Sequence, residues 1–75
     1  MGERGTPRFT ADQVIAVLKR HHFSLAGQSG SHQKWRNPTN GKQVIVAYHR
    51  GKILPLGTMK SIIEGSGIPQ SDWIG

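Results

Sequence analysis

Histidine is the only side chain in the centre of this sequence suited to moving a proton near neutral pH. Between Gln13 and Ile63 there is no Asp and no Glu, and the whole chain lacks Cys. The same stretch holds Lys19, Arg20, Lys34, Arg36, Lys42, Arg50, Lys52 and Lys60, whereas the four carboxylates, Glu3, Asp12, Glu64 and Asp72, lie outside it. Two-metal phosphodiester chemistry needs several carboxylates around the ions, and glycoside hydrolysis needs a carboxylate pair. Neither fits. A cationic stretch without acids favours a polyanion, because each Lys or Arg near a phosphate releases a condensed counterion. Proton transfer there falls to histidine, whose unperturbed pKa lies close to neutrality.

His32 is the foremost candidate. It follows Gly30-Ser31, where glycine permits close backbone approach and Ser31 adds a hydroxyl, and it precedes Lys34 and Arg36. If residues 32–36 form a strand, His32, Lys34 and Arg36 share one face and Trp35 lies on the other. Trp35 belongs in a core, so the histidine and the two cations belong in solvent. An imidazole beside phosphate-binding cations suits phosphodiester chemistry. The plain alternative is a polar residue opening a strand. His49, in the basic loop His49-Arg50-Gly51-Lys52, is a less certain second catalytic candidate. Ser31, Lys34, Arg36, Lys42, Arg50 and Lys52 make up the candidate phosphate-contact set, against the bland reading of a solvated charged face. His21 and His22 read as residues complementing a helix dipole. The four histidines show no ligand spacing such as H-x3-H, so no metal and no cofactor is expected.

The elements that must position these residues follow from local signals. Thr10 and Gln13 form a capping box, and Phe9 and Val14 are spaced as a hydrophobic staple. The helix carries Val14, Ile15, Val17 and Leu18 as its apolar stripe, with Lys19, Arg20 and His21 in the last turn. Phe23 to Gln28 alternates as a half-buried strand with Phe23 and Leu25 on one face, and Ser29-Gly30-Ser31 is turn material. His32 to Arg36 and Gln43 to Tyr48 are two further strands joined by the hairpin loop Asn37-Pro38-Thr39-Asn40-Gly41. A second helix is expected from Thr58 to Ser66, with Met59, Ile62 and Ile63 on one face and Gly67 as its stop. Trp73 and Ile74 are expected to fold back as an apolar plug. The order is α-β-β-β-α, an α+β class with a three-stranded antiparallel sheet.

Seventy-five residues allow one small domain. Met1–Arg8 reads as a flexible leader and residues 9–75 as the domain. A domain of this size buries only about 60% of its unfolded surface, so its stability is marginal. No stretch approaches the roughly 20 apolar residues of a membrane span, and no signal-peptide pattern opens the chain. A cytoplasmic location is expected. The net charge of +6, with every carboxylate outside residues 13–63, points to nucleic acid as the partner class.

An ordered set of motifs resembles the HicA toxin family. It comprises Phe23, the Gly30-Ser31-His32 turn with Trp35 three positions on, the Val44-Ile45-Val46 strand, and His49. It continues through Leu56-Gly57-Thr58-Met59-Lys60-Ser61-Ile62-Ile63 to Gly67-Ile68. The resemblance runs from about Phe9 to Ile68. Three positions depart from the family pattern: His22 stands where glycine is common, Trp35 where tyrosine is usual, and Tyr48 where proline is frequent. The resemblance implies a fold similar to the double-stranded RNA-binding domain, with both helices on one face of the sheet. It further implies a metal-independent endoribonuclease, an mRNA interferase acting as toxin of a type II toxin–antitoxin pair and arresting translation and growth. A HicB-type antitoxin would neutralise it. The family's catalytic histidine falls on His32.

Two competing readings remain at the level of sequence. One is a non-catalytic small RNA-binding module using the same basic face, since double-stranded RNA is recognised through shape and phosphates. The other is a regulatory subunit whose basic face engages an acidic protein. His32 on the cationic face is the feature that separates the enzyme from both.

Overall fold

The computed structural model describes residues 8–73. Two helices, three strands and a short 3-10 turn follow in the order α1 (Ala11–Arg20), β1 (Ser24–Ser29), β2 (His32–Arg36), β3 (Gln43–Ala47), α2 (Leu56–Ser66) and Gln70–Asp72. The strands form one antiparallel sheet in the order β1-β2-β3, so β2 is central. This is the α+β architecture expected. The leader, apart from Arg8, and Ile74 lie outside the described residues. No helix among those residues is long and apolar enough to cross a membrane.

Helix α1 begins where its capping chemistry dictates. The Gln13 amide donates to Thr10 Oγ1 (3.2 Å) and the Thr10 amide donates to Gln13 Oε1 (2.8 Å), which satisfies two amides otherwise left free at a helix start. Phe9 and Val14 are both buried, as a staple requires. The other end closes in a Schellman arrangement: the Phe23 amide donates to the Leu18 carbonyl and the His22 amide to that of Lys19. His22 occupies the left-handed position of that motif with φ of 72°. Glycine is favoured there, and a residue with a Cβ is strained by roughly 1–2 kcal/mol. His22 is therefore a helix terminator, not simply a partner for the dipole. His21 instead sets its ring 3.5 Å from the Asp72 carboxylate.

Both helices cover the same face of the sheet. Trp35, Val44 and Val46 from the strands share one core with Val14, Val17 and Leu18 of α1 and Met59 and Ile62 of α2. Phe9 and Trp73 close it with an edge-to-face contact at 5.9 Å between ring centroids. Asn37 ties the β2–β3 loop to α1 by donating its side-chain amide to the His21 carbonyl (3.1 Å).

Several boundaries differ from those read in the sequence, among them the end of β3, which lies at Ala47 and not at Tyr48. Helix α2 starts at Leu56, directly after Pro55, because the amide that proline lacks would have no partner at a helix start; Gly57 is absorbed into the first turn. Its end at Gly67, with φ of 71°, is as expected. Strand β1 spans Ser24–Ser29, and only Gly30-Ser31 forms the turn. The alternation predicted for β1 is also not realised. Phe23 is buried but precedes the strand, while Leu25 is 48% exposed. Strand β1 is an edge, and the pairing shifts between Leu25 and Gly27, so Ala26 is the extra residue of a β-bulge. Edge position and bulge together take β1 out from under the helices.

Candidate nucleic-acid interface and active site

The face of the sheet turned away from the helices has a simple layout. Antiparallel register places Ser29, His32 and Ala47 side by side in one row across the three strands. The next row is Gly27, Lys34 and Ile45, and the third is Ser24, Arg36 and Gln43. His32, Lys34 and Arg36 thus run down the middle of the open face, while Trp35 is 6% exposed beneath them. Lys34 and Arg36 are exposed and His32 is accessible at the edge of the turn. Trp35 is held by a hydrogen bond from its indole N–H to Gln33 Oε1 (3.0 Å), and the Lys19 ammonium lies 5.9 Å from its ring. No strand contains a carboxylate. Among the described residues, no side-chain hydrogen bond or ion pair engages His32, Lys34 or Arg36.

The histidine stands beside a shallow hollow of about 240 Å³ lined by Gly27, Gln28, Ser29, His32, Lys34 and Ile45. Four of these residues, Gly27, Gln28, Ser29 and Ile45, are absent from the set picked out by sequence. Ser29 was within reach of sequence reasoning, because a two-residue Gly30-Ser31 turn makes it the partner of His32. Gly27 and Ile45 were not, since the Ala26 bulge resets the count on one side and β3 pairing sets it on the other.

The second histidine arrives from the far end of β3. The Tyr48 amide donates to the Ser31 carbonyl (2.7 Å), continuing the β2–β3 ladder one bond past Ala47. His49 therefore leaves the sheet next to the turn that precedes His32. The loop then closes with the Lys52 amide on the His49 carbonyl (3.1 Å) and Gly51 at φ of 75°, leaving Arg50 and Lys52 exposed. Tyr48 points the other way. Its hydroxyl donates to Asp12 Oδ2 (3.2 Å) on α1, and its ring packs against the core. That hydrogen bond, followed by desolvation and the Asp12 charge, raises the phenol pKa, so Tyr48 is held as a proton donor to Asp12 on the helical side.

Lys42 is set apart from the β2 cations. A Cβ built on Gly67 would meet its Cε at 2.7 Å and its Cδ at 2.8 Å, so the Lys42 chain lies over the C-terminal end of α2. A cation there complements the carbonyl end of the helix. The fold thus gathers His32, Lys34 and Arg36 on one strand, with Ser31 before them. His49, Arg50 and Lys52 lie in the loop at the His32 end.

The family model described as the HicA toxin of bacterial toxin–antitoxin systems matches residues 11–68 of the 75-residue chain. The chain belongs to the HicA toxin family. No curated protein matches it. The match takes in α1, the whole sheet and α2, and with them every residue of the open face. HicA toxins are generally ribonuclease-type toxins of toxin–antitoxin systems, and membership implies an antitoxin partner for this chain.

Proposed function

We propose that this HicA toxin is a metal-independent endoribonuclease, an mRNA interferase, with His32 as its catalytic residue. The observation that carries the reading is the position of His32. It stands on the open face of the central strand, beside Lys34, where the strands contribute no carboxylate. RNA suits such a site because its own 2′-hydroxyl is the nucleophile. His32 accepts the 2′-hydroxyl proton or protonates the departing 5′-oxygen as the 2′-oxygen attacks phosphorus, which leaves a cyclic 2′,3′-phosphate and a 5′-hydroxyl. Lys34 and Arg36 hold the phosphates and neutralise charge that builds on the non-bridging oxygens. His49, leaving β3 beside the Ser31 turn, takes the second proton-transfer role, and Ser31, Arg50 and Lys52 extend the contact to flanking phosphates. Lys42 makes a more distant contact. The proton transfers are assigned to histidine because no strand of the sheet carries a carboxylate.

The toxin acts in the cytoplasm, where mRNA is translated. A HicB-type antitoxin neutralises it by laying an acidic surface over the His32 face. Protection mapping of the complex checks this: His32 and Lys34 remaining accessible would rule out direct occlusion.

The decisive experiment is incubation of labelled RNA with the parent protein and with His32→Ala, each in excess EDTA. The parent is expected to cut and the variant to bind without cutting. A parent whose activity is lost in EDTA and restored by magnesium or zinc would sink the histidine-only mechanism. Equal cutting by the folded variant would remove His32 from catalysis, and binding without cutting by the parent would favour the non-catalytic RNA-binding module.

A further inference from the structure

We propose that the hollow beside His32 is a nucleobase subsite, seating one base of single-stranded RNA next to the phosphodiester that His32 attacks. The inference rests on the ribonuclease reading and adds to it how the site selects its substrate.

The space above Gly27 is open: a Cβ placed there would meet nothing within 4 Å. The bulge puts glycine there. Were β1 regular, Ala26 would stand opposite Lys34 and its methyl group would fill part of the hollow; the extra residue brings Gly27 to that row instead.

The lining suits a flat heterocycle. Ile45 is 46% exposed in the row of Lys34, the large apolar side chain among the residues of the three rows. It offers a base a surface to lie against, which a bare phosphate would not use. Gln28 pairs with Gln33 on the other face, where its side-chain amide donates to the Gly30 carbonyl (3.0 Å) and braces the turn beside the hollow. The Ser29 hydroxyl has no hydrogen-bond partner among the described residues and lies in the row of His32. Apolar wall and hydroxyl border the space, and Lys34 and His32 stand at its rim for the adjoining phosphate. A base reaches such a surface only when it is unstacked, so the substrate is single-stranded.

The test is an NMR titration of the ¹⁵N-labelled protein with the four ribonucleoside 3′-monophosphates and, separately, with ribose 5-phosphate. At least one nucleotide is expected to bind about threefold to tenfold more tightly than ribose phosphate, the range that covering a few tens of Å² of apolar surface supplies. The largest shifts should fall on Gly27, Ser29 and Ile45. Gly27→Leu, which fills the hollow, and Ile45→Ser, which removes its apolar wall, should bring that ratio towards one while ribose phosphate binds as before. Both should also alter the distribution of cleavage sites along a long RNA. Equal affinity of the parent for all nucleotides and ribose phosphate overturns the subsite, and this comparison decides the matter even if a variant fails to fold. A parent that cuts RNA without any such preference loses the subsite but keeps the nuclease reading. Selective nucleotide binding in the hollow by a protein that leaves RNA uncut does the reverse.

Discussion

The two faces of the sheet answer to different physics. On the covered face, Trp35, Val44 and Val46 are 6%, 5% and 0% exposed and share a core with both helices. On the open face, His32, Lys34 and Arg36 make no side-chain hydrogen bond or ion pair among the described residues. Residues one position apart in β2 therefore carry separate burdens: Trp35 holds the fold, and its neighbours are free for an external ligand. In a domain this small, where burial is limited, that division lets a reactive surface be built without drawing on the core.

The sharpest test sets Trp35→Ala against His32→Ala. Truncating the tryptophan should cost about 3–5 kcal/mol and lower Tm by roughly 10 °C or more, as read by thermal denaturation. His32→Ala should leave Tm within a few degrees, since substitutions away from the core usually change stability by less than about 0.5 kcal/mol. Its RNA cleavage should fall by roughly 10² to 10⁴-fold. A His32→Ala protein that unfolds would erase the contrast and make this histidine structural.

Replacing Lys34 and Arg36 by Gln should leave the fold intact and weaken RNA binding. The slope of log K against log salt should drop by about 0.7 to 1 for each phosphate no longer neutralised. An unchanged slope in a salt titration would put the RNA on another surface.

His22→Gly should act only on the helical side. Relief of the left-handed strain at φ of 72° should stabilise the protein by about 1 kcal/mol, a rise of roughly 4–8 °C in Tm, with cleavage unaltered. A fall in Tm would show that the His22 side chain contributes more than its backbone costs.

The smallest effect belongs to Tyr48→Phe, which should lower Tm slightly. The phenol pKa is raised in the fold, so its neutral form is the one the structure favours. The advantage of the parent over the variant should be complete below the unfolded phenol value of about 10 and vanish as pH rises through the higher folded value. Denaturation of both proteins across that range checks the sign. A difference that grew with pH would mean that Tyr48 does not donate to Asp12.

Much of the fold was legible because its signals are local. The Thr10–Gln13 box, the glycine stop at Gly67 and the alternation of β2 each depend on residues a few positions apart, and each stands where those residues put it. The face shared by His32, Lys34 and Arg36 was legible for the same reason. Leu25 was misread because alternation gives its face but not that β1 is an edge strand lying beyond the helices, and the start of α2 because Pro55 tolerates a helix beginning at once.

By itself, then, the sequence determined which residues of β2 face solvent, where the acid-free cationic stretch lies, and that a histidine shares the face of its β2 cations. These follow from composition and from the two-residue period of a strand. Only the tertiary structure decided what surrounds His32. Ala47 flanks it on β3, Gly27 and Ile45 flank Lys34, Tyr48 turns to Asp12, and Lys42 lies over the end of α2. Cross-strand neighbours are fixed by register, a one-residue slip changes every one of them, and register is set by pairing and packing between segments distant in the chain.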